Sequence, residues 1–159
     1  MNAKVYLETT IPSYLAARSS RDLLVAAHQR ITRNWWEFRR PAFDLYISEL
    51  VVQEATAGDV LLAKRRLDLL ADIPILMANS EILKLAETLI ARGPIPSKAA
   101  GDAVHIAMAT VYGCEYVLTW NCRHIANAEL RRSLQRIVGQ AGYELPVLCT
   151  PEELMGEEQ

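Results

Sequence analysis

Short β-branched or aromatic runs alternate with longer stretches of helical periodicity, and this alternation limits the possible folds more than any other feature of the sequence. Runs typical of strands lie at residues 4–7, 45–47, 73–77, 116–120 and 146–149. At least one predicted helix separates each run from the next, which leaves enough chain to connect parallel strands. We therefore predict an α/β fold, a three-layer α/β/α sandwich around a mostly parallel five-stranded sheet.

Helix signals fill the intervening segments. Periodicity predicts helices over residues 19–40, 49–57, 60–70, 80–91, 97–112 and 128–138. Pro12 lies where the first turn of a helix tolerates it. Ser19, with Asp22 three residues later, resembles a capping box, and Ser97 is a predicted N-cap. Leu24, Ile31 and Phe38, with Ala27 and Trp35 between them, recur at helical intervals along the 19–40 helix, as an inward-facing stripe does.

Length and charge predict one domain at residues 1–150 and an acidic tail at residues 151–159. The chain has 159 residues, about the size of one domain. With 51% hydrophobic residues it is unlike a disordered chain. The net charge of −2 does not indicate a polyanion binder, but four of the 19 acids and none of the 17 basic residues lie in the tail. The body therefore carries +2, and if three more acids converge on one site the remaining surface carries +5, which removes the objection to nucleic acid as a partner.

The cysteines and the first residues of the chain indicate the cellular compartment in which we expect the protein. Cys114, Cys122 and Cys149 form no C-x-x-C pair, which excludes a zinc site built from paired cysteines, and we expect them to be inert packing residues. Free thiols suit a reducing compartment. No signal peptide or membrane-spanning run is seen in the sequence. We expect a cytoplasmic protein with no membrane association.

Polar side chains collect where the predicted strands end. After the first strand come Glu8, Thr9 and Thr10. Glu54 lies in the helix after the second strand. The fourth strand is followed by Thr119, Asn121 and His124. Asp102 lies in the 97–112 helix beside an apolar stripe. Ligands of parallel sheets bind outside the carboxyl ends of the strands. This edge of the sheet is therefore the predicted site.

Carboxylates that converge at such an edge repel one another unless a cation neutralises them. Oxygen ligands without thiolates favour Mg²⁺ or Mn²⁺, and such an ion can promote water attack on a phosphodiester. Other interpretations remain open at this point. Asp102 can serve the helix dipole, Glu54 can be an ordinary solvated residue, and a lone helical His105 is often a hydrogen-bonded structural residue.

Four segments in order along the chain resemble the sequence blocks of the PIN-domain family, in particular its VapC-like toxins of bacterial toxin–antitoxin pairs. The segments are Y-L-E-T-T at 6–10, I-S-E-L-V-V-Q-E-A-T-A-G at 47–58, G-D-A-V-H-I-A-M-A at 101–109 and L-T-W-N-C-R-H-I-A-N at 118–127. Two positions depart from the family pattern. Glu8 and Asn121 both stand where the family usually has Asp, so we expect a weaker or altered metal site.

The resemblance implies a Mg²⁺- or Mn²⁺-dependent endoribonuclease that cleaves single-stranded RNA. By position, Glu8, Glu54 and Asp102 would be the metal-binding acids, with Asn121 at the fourth acidic place. Thr119, with Thr9 or Thr10, would orient ligands or water, and His124 would help to position the substrate. The resemblance also implies an antitoxin partner and a homodimer.

Two other functions compete with this one. A PIN-like protein that binds RNA or an antitoxin without cleaving is consistent with the departures at Glu8 and Asn121. A doubly wound phosphatase would also place an acid after its first strand. That chemistry needs a nucleophilic Asp and a second acid two residues later, where this chain has Glu8 and Thr10.

Overall fold

The computed structural model describes residues 1–157, and its centre is a five-stranded sheet whose described strands all run parallel. The strands are β1 (Ala3–Leu7), β2 (Phe43–Ser48), β3 (Ile75–Leu76), β4 (Tyr116–Leu118) and β5 (Val147–Cys149), in the spatial order β3-β2-β1-β4-β5. The helices are α1 (Thr10–Ala16), α2 (Leu23–Asn34), α3 (Glu49–Ala55), α4 (Val60–Leu70), α5 (Ser80–Ala91), α6 (Ala100–Val111) and α7 (Arg131–Gln140). The predicted fold class is confirmed.

The direction of strand addition reverses once, and this places the helices in two layers. The chain steps from β1 to β2 to β3, then crosses back over the sheet to β4 and β5. Because such crossovers are right-handed, α1 to α4 cover one face of the sheet and α5 to α7 the other. In agreement, α1 packs on α2 and α4, whereas α5 packs on α6 and α7. The gap between β1 and β4 is thus the topological switch point.

The core lies along β1 and α6. Val5, Tyr6 and Leu7 are fully buried, as expected of a central strand covered on both faces. Residues 105–109 of α6 are also fully buried, and among them only His105 is polar. Pro12 lies in the first turn of α1, as predicted.

The predicted helix over residues 19–40 is wrong at its start, whereas helical structure continues to about the predicted end. It begins at Leu23, because the Asp22 side chain accepts a hydrogen bond from Val25 N at 3.0 Å and caps it. The helix gives way to a π-helical turn at Trp35–Arg39.

The predicted inward stripe of this segment is wrong at Leu24, Ala27 and Phe38, which are exposed, and correct at Trp35, which is fully buried. The buried positions of α2 are instead Gln29 and Thr32. Gln29 hydrogen-bonds to Arg18 O and Ser20 N in the α1–α2 connection, and Thr32 bonds to Trp120 Nε1. This side of α2 therefore faces polar groups that need partners.

Other differences are local. β3 has only two residues, and α7 begins at Arg131 rather than at residue 128. Ser97 lies in a 3₁₀ turn and makes no side-chain cap, so α6 begins at Ala100. Cys114 and Cys149 are buried, but Cys122 is exposed in the turn after β4, so the packing role predicted for it is wrong.

The acidic end of the chain combines exposed acids with one buried anchor. Glu152, Glu153 and Glu157 are exposed, and Glu158 lies outside the described residues. Leu154 is buried, and its carbonyl accepts the Trp35 indole N–H at 3.2 Å. The boundary at residue 150 stays a prediction. Within residues 1–157 no helix has the length and apolarity to span a membrane.

Candidate active site

Glu8 lies at the switch point, directly after β1, and is 5% exposed. Its carboxylate oxygen Oε1 accepts hydrogen bonds from Thr119 Oγ1 at 2.7 Å and from the Thr10 backbone N at 3.1 Å, and the Thr10 hydroxyl also donates to it. Glu8 Oε2 accepts no hydrogen bond from the described residues and keeps contact with solvent. One oxygen of a nearly buried acid is thus fixed, and the other is free.

A hydrogen-bonded path continues from Thr119 to Asp102. The Asn121 backbone N donates to Thr119 Oγ1 at 2.9 Å, and Asn121 Oδ1 accepts from the His124 backbone N at 3.0 Å in an Asx turn. His124 Nδ1 lies 2.9 Å from Asp102 Oδ2 in the first turn of α6. The His124 and Asp102 side chains are 18% and 21% exposed. The turn after β4 therefore ties Glu8 to Asp102 through side chains predicted from the sequence.

Glu54, near the end of α3, is held by one oxygen in the same way. Its Oε1 accepts a hydrogen bond from Thr9 Oγ1 at 2.7 Å and lies 2.6 Å from His105 Nε2. Its Oε2 faces the start of α6, since a Cβ placed on Gly101 would lie 3.7 Å away from it. Gly101 directly precedes Asp102 in the chain, so Glu54 faces the turn of α6 that carries Asp102.

The pKa of Glu54 lies below its ordinary value. Burial acts to raise the pKa, but the hydrogen bond from His105, the charge of His105 when protonated and the hydrogen bond from Thr9 together outweigh it. The side chain is 39% exposed, so this carboxylate is ionised at the surface at neutral pH.

Three further side chains, Tyr6, Ser48 and His105, contact the candidate site; the sequence placed Ser48 at the same edge and favoured a structural role for His105, and only Tyr6 was missed. Tyr6 Oη lies 2.7 Å from Ser48 Oγ and 2.6 Å from His105 Nδ1. All three are fully buried. Burial raises the pKa of Tyr6 well above its ordinary value, so the phenol keeps its proton. The position of His105 one helical turn after Asp102 was the sequence signal for it, and its contact with Glu54 is visible only in the structure.

The donor chemistry fits a magnesium-type site that is open rather than closed. Among residues 1–157 no group of three or more His, Cys, Asp or Glu side chains is placed to hold a metal ion. Glu8 Oε2, Glu54 Oε2 and Asp102 Oδ1 nevertheless accept no hydrogen bond within the described chain. Mg²⁺ commonly uses one or two carboxylates and completes its shell with water and substrate phosphate. The free oxygens are of that kind, and the ligand set stays a prediction.

Comparisons with known proteins support the fold. No family model matches the sequence. No curated protein matches it. Among solved structures, the chain is similar to one in the crystal structure of VapBC2 from Rickettsia felis bound to a DNA fragment from their promoter. The two chains share 16% sequence identity with a TM-score of 0.56, over 92% of this chain and 96% of the other. At this identity the similarity shows a shared α/β fold, and the chemistry has to be argued from the residues.

Proposed function

We propose that this protein is a metal-dependent endoribonuclease that hydrolyses phosphodiester bonds in single-stranded RNA, and that it is the toxin of a toxin–antitoxin pair. The observation that carries the proposal is the way in which three carboxylates, at the switch point and in the adjoining helices α3 and α6, are tethered. Glu8, Glu54 and Asp102 are each held by one oxygen while the other is left free. Carboxylates kept in this way are prepared for a ligand before it arrives.

Glu8 and Asp102 would hold Mg²⁺ or Mn²⁺, and Glu54 would either join them or hold the attacking water. When bound, such an ion activates water and neutralises charge on a phosphoryl oxygen. Thr10 and Thr119 keep the Glu8 carboxylate in one orientation. Asn121 would complete the shell or contact the substrate.

His124 would contact the RNA backbone. Its Nδ1 is used by Asp102, whereas Nε2 makes no hydrogen bond within the described chain and is free to bind a phosphate oxygen. Water attack on the phosphodiester would leave a 5′-phosphate and a 3′-hydroxyl. An antitoxin partner, a homodimer and a cytoplasmic location are part of the same proposal.

The decisive experiment compares RNA cleavage by the wild type and by Asp102→Asn. A panel of structured and single-stranded RNAs is incubated with Mn²⁺, and the ends of the products are analysed. We expect the wild type to cleave single-stranded RNA and Asp102→Asn to lose on the order of 100-fold or more. Asp68→Asn is the matched control, because Asp68 is an exposed acid of α4 that pairs only with Lys64 in the described chain. Equal cleavage by wild type and Asp102→Asn, or none by either, would contradict the proposal.

A second function, binding of RNA or an antitoxin without cleavage, is favoured by one observation. Two of the three acids, Glu54 and Asp102, are paired with His105 and His124 rather than placed with other acids as a ligand group. Calorimetric titration separates the two functions. Absence of Mg²⁺ and Mn²⁺ binding at millimolar concentration, with RNA or antitoxin still bound, would favour the binding protein.

A further inference from the structure

A row of four hydrogen-bonded side chains leads from the core to the candidate site. Ser48 at the end of β2 contacts Tyr6 of β1 at 2.7 Å, and Tyr6 contacts Nδ1 of His105 in α6 at 2.6 Å. His105 Nε2 then contacts Glu54 Oε1 in α3 at 2.6 Å. The first three side chains are fully buried, and Glu54 alone reaches solvent. Glu54 is therefore the one member of the row that is exposed, and it belongs to the candidate site.

One tautomer of His105 gives every contact in this row a donor and an acceptor. The Val51 backbone N donates to Ser48 Oγ at 3.4 Å, and in the Ser48–Tyr6 pair either hydroxyl can be the donor. The Tyr6 phenol keeps its proton, and where it donates that proton to His105 Nδ1, this nitrogen is unprotonated. The single imidazole proton is then on Nε2, where it is donated to Glu54 Oε1. This tautomer satisfies every group in the row.

We propose that His105 is a positioning residue for Glu54, and that Tyr6 and Ser48 fix the tautomer in which it acts. The inference rests on the proposed nuclease function. With Thr9, the Nε2–H group of His105 holds Glu54 Oε1, so that Oε2 stays directed at the start of α6 beside Asp102. A group that orients water must be fixed to within a fraction of an ångström.

Apolar side chains would fill the same space at a lower cost in desolvation free energy than these polar ones. Buried hydroxyl and imidazole groups are tolerated only when every member of the network has a partner, because an unpaired one costs desolvation free energy. Here all the partners are present, and the last one is Glu54. The arrangement matches a support for that carboxylate better than a packing element.

Two substitutions of His105 separate positioning from packing. The amide nitrogen of His105→Gln reaches the place of Nε2 and can still donate to Glu54. The shorter amide of His105→Asn reaches the place of Nδ1, on the Tyr6 side. If His105 positions Glu54, kcat falls on the order of 100-fold in His105→Asn but only on the order of tenfold in His105→Gln. KM for RNA is unchanged in both variants. When Glu54 is already replaced by Gln, adding His105→Asn lowers kcat by less than about threefold, because the residue that His105 positions is no longer a carboxylate.

A readout that needs no catalysis tests the arrangement itself. Nitrogen NMR of the imidazole is expected to show a protonated Nε2 and an unprotonated, hydrogen-bonded Nδ1 in the wild type. Tyr6→Phe is expected to change the Nδ1 signal, because it removes the donor. The carboxyl pKa of Glu54, read by carbon NMR, is expected to rise in His105→Asn and to rise less in His105→Gln.

The failures are distinguishable. Cleavage by the wild type with equal losses in the Gln and Asn variants, or an imidazole proton on Nδ1, would overturn the role of His105 alone. No cleavage by the wild type under any condition overturns the proposed function together with that role.

Discussion

Thr119 Oγ1 donates a hydrogen bond to Glu8 Oε1 at 2.7 Å, between residues that directly follow the neighbouring strands β4 and β1. The same hydroxyl accepts the Asn121 backbone N–H at 2.9 Å. One buried side chain thus fixes the acid at the switch point and begins the turn that carries Asn121 and His124.

Removal of that hydroxyl is expected to disturb both the acid and the turn. Thr119→Val keeps the shape but leaves Asn121 N without a partner and Glu8 Oε1 with one donor fewer. The free energy of unfolding should fall by about 1–3 kcal/mol, measured by urea denaturation. RNA cleavage should fall on the order of tenfold. Thr119→Ser keeps the hydroxyl and is the control; equal effects of Val and Ser would contradict a role for the hydrogen bond.

Asn121→Asp introduces a negative charge at the place where the sequence resemblance expects an acid. Asn121 Oδ1 accepts the His124 N–H at 3.0 Å, and a carboxylate can accept the same bond, so the turn should be kept. We expect Mn²⁺ to bind on the order of tenfold more tightly by calorimetry, because hard cations favour charged oxygens. Asn79→Asp adds the same charge at the exposed N-cap of α5, and no change is expected there. Unchanged affinity in Asn121→Asp would place residue 121 outside the metal shell.

The lowered pKa of Glu54 predicts a dependence of stability on acid. A carboxyl whose pKa is lower in the folded state stabilises the fold above its unfolded-state pKa of about 4.3, and this contribution is lost as pH falls through the folded-state pKa. The difference in unfolding free energy between wild type and Glu54→Gln should therefore shrink between pH 7 and pH 3. A difference that stays constant over this range would show that the His105 and Thr9 contacts do not favour the carboxylate.

The end of the chain should matter for stability through Leu154 rather than through its acids. Truncation after residue 150 removes this buried side chain and leaves the Trp35 indole N–H without its acceptor. We expect a loss of about 3 kcal/mol in thermal or urea unfolding. Truncation after Gly156 keeps both contacts and should have little effect. A chain ending at residue 150 that is as stable as the full chain would support a domain boundary there.

The strand runs and the polar residues that follow them made the sheet and the edge that carries the candidate site predictable. Five apolar runs separated by helices indicate parallel pairing, and acids placed directly after such runs must lie at the carboxyl edge. Glu8 is an example, because a residue directly after a central strand is buried by the neighbouring strands and helices, independently of the loop conformations. The start of α2 was less predictable, since Ser19 and Asp22 both fit a cap and the tertiary contacts of Gln29 with Arg18 and Ser20 favour the later one.

The sequence by itself determined that this chain forms a parallel α/β sheet with carboxylates at one edge, because strand periodicity and the place of a residue after a strand are local properties. Only the tertiary structure decided that the acids are held by separate partners, Glu8 by Thr119 and Glu54 by His105. His105 in α6 meets Tyr6 in β1 and Glu54 in α3 across 99 and 51 residues of chain. Such meetings depend on how helices pack on the sheet, and no local pattern encodes them.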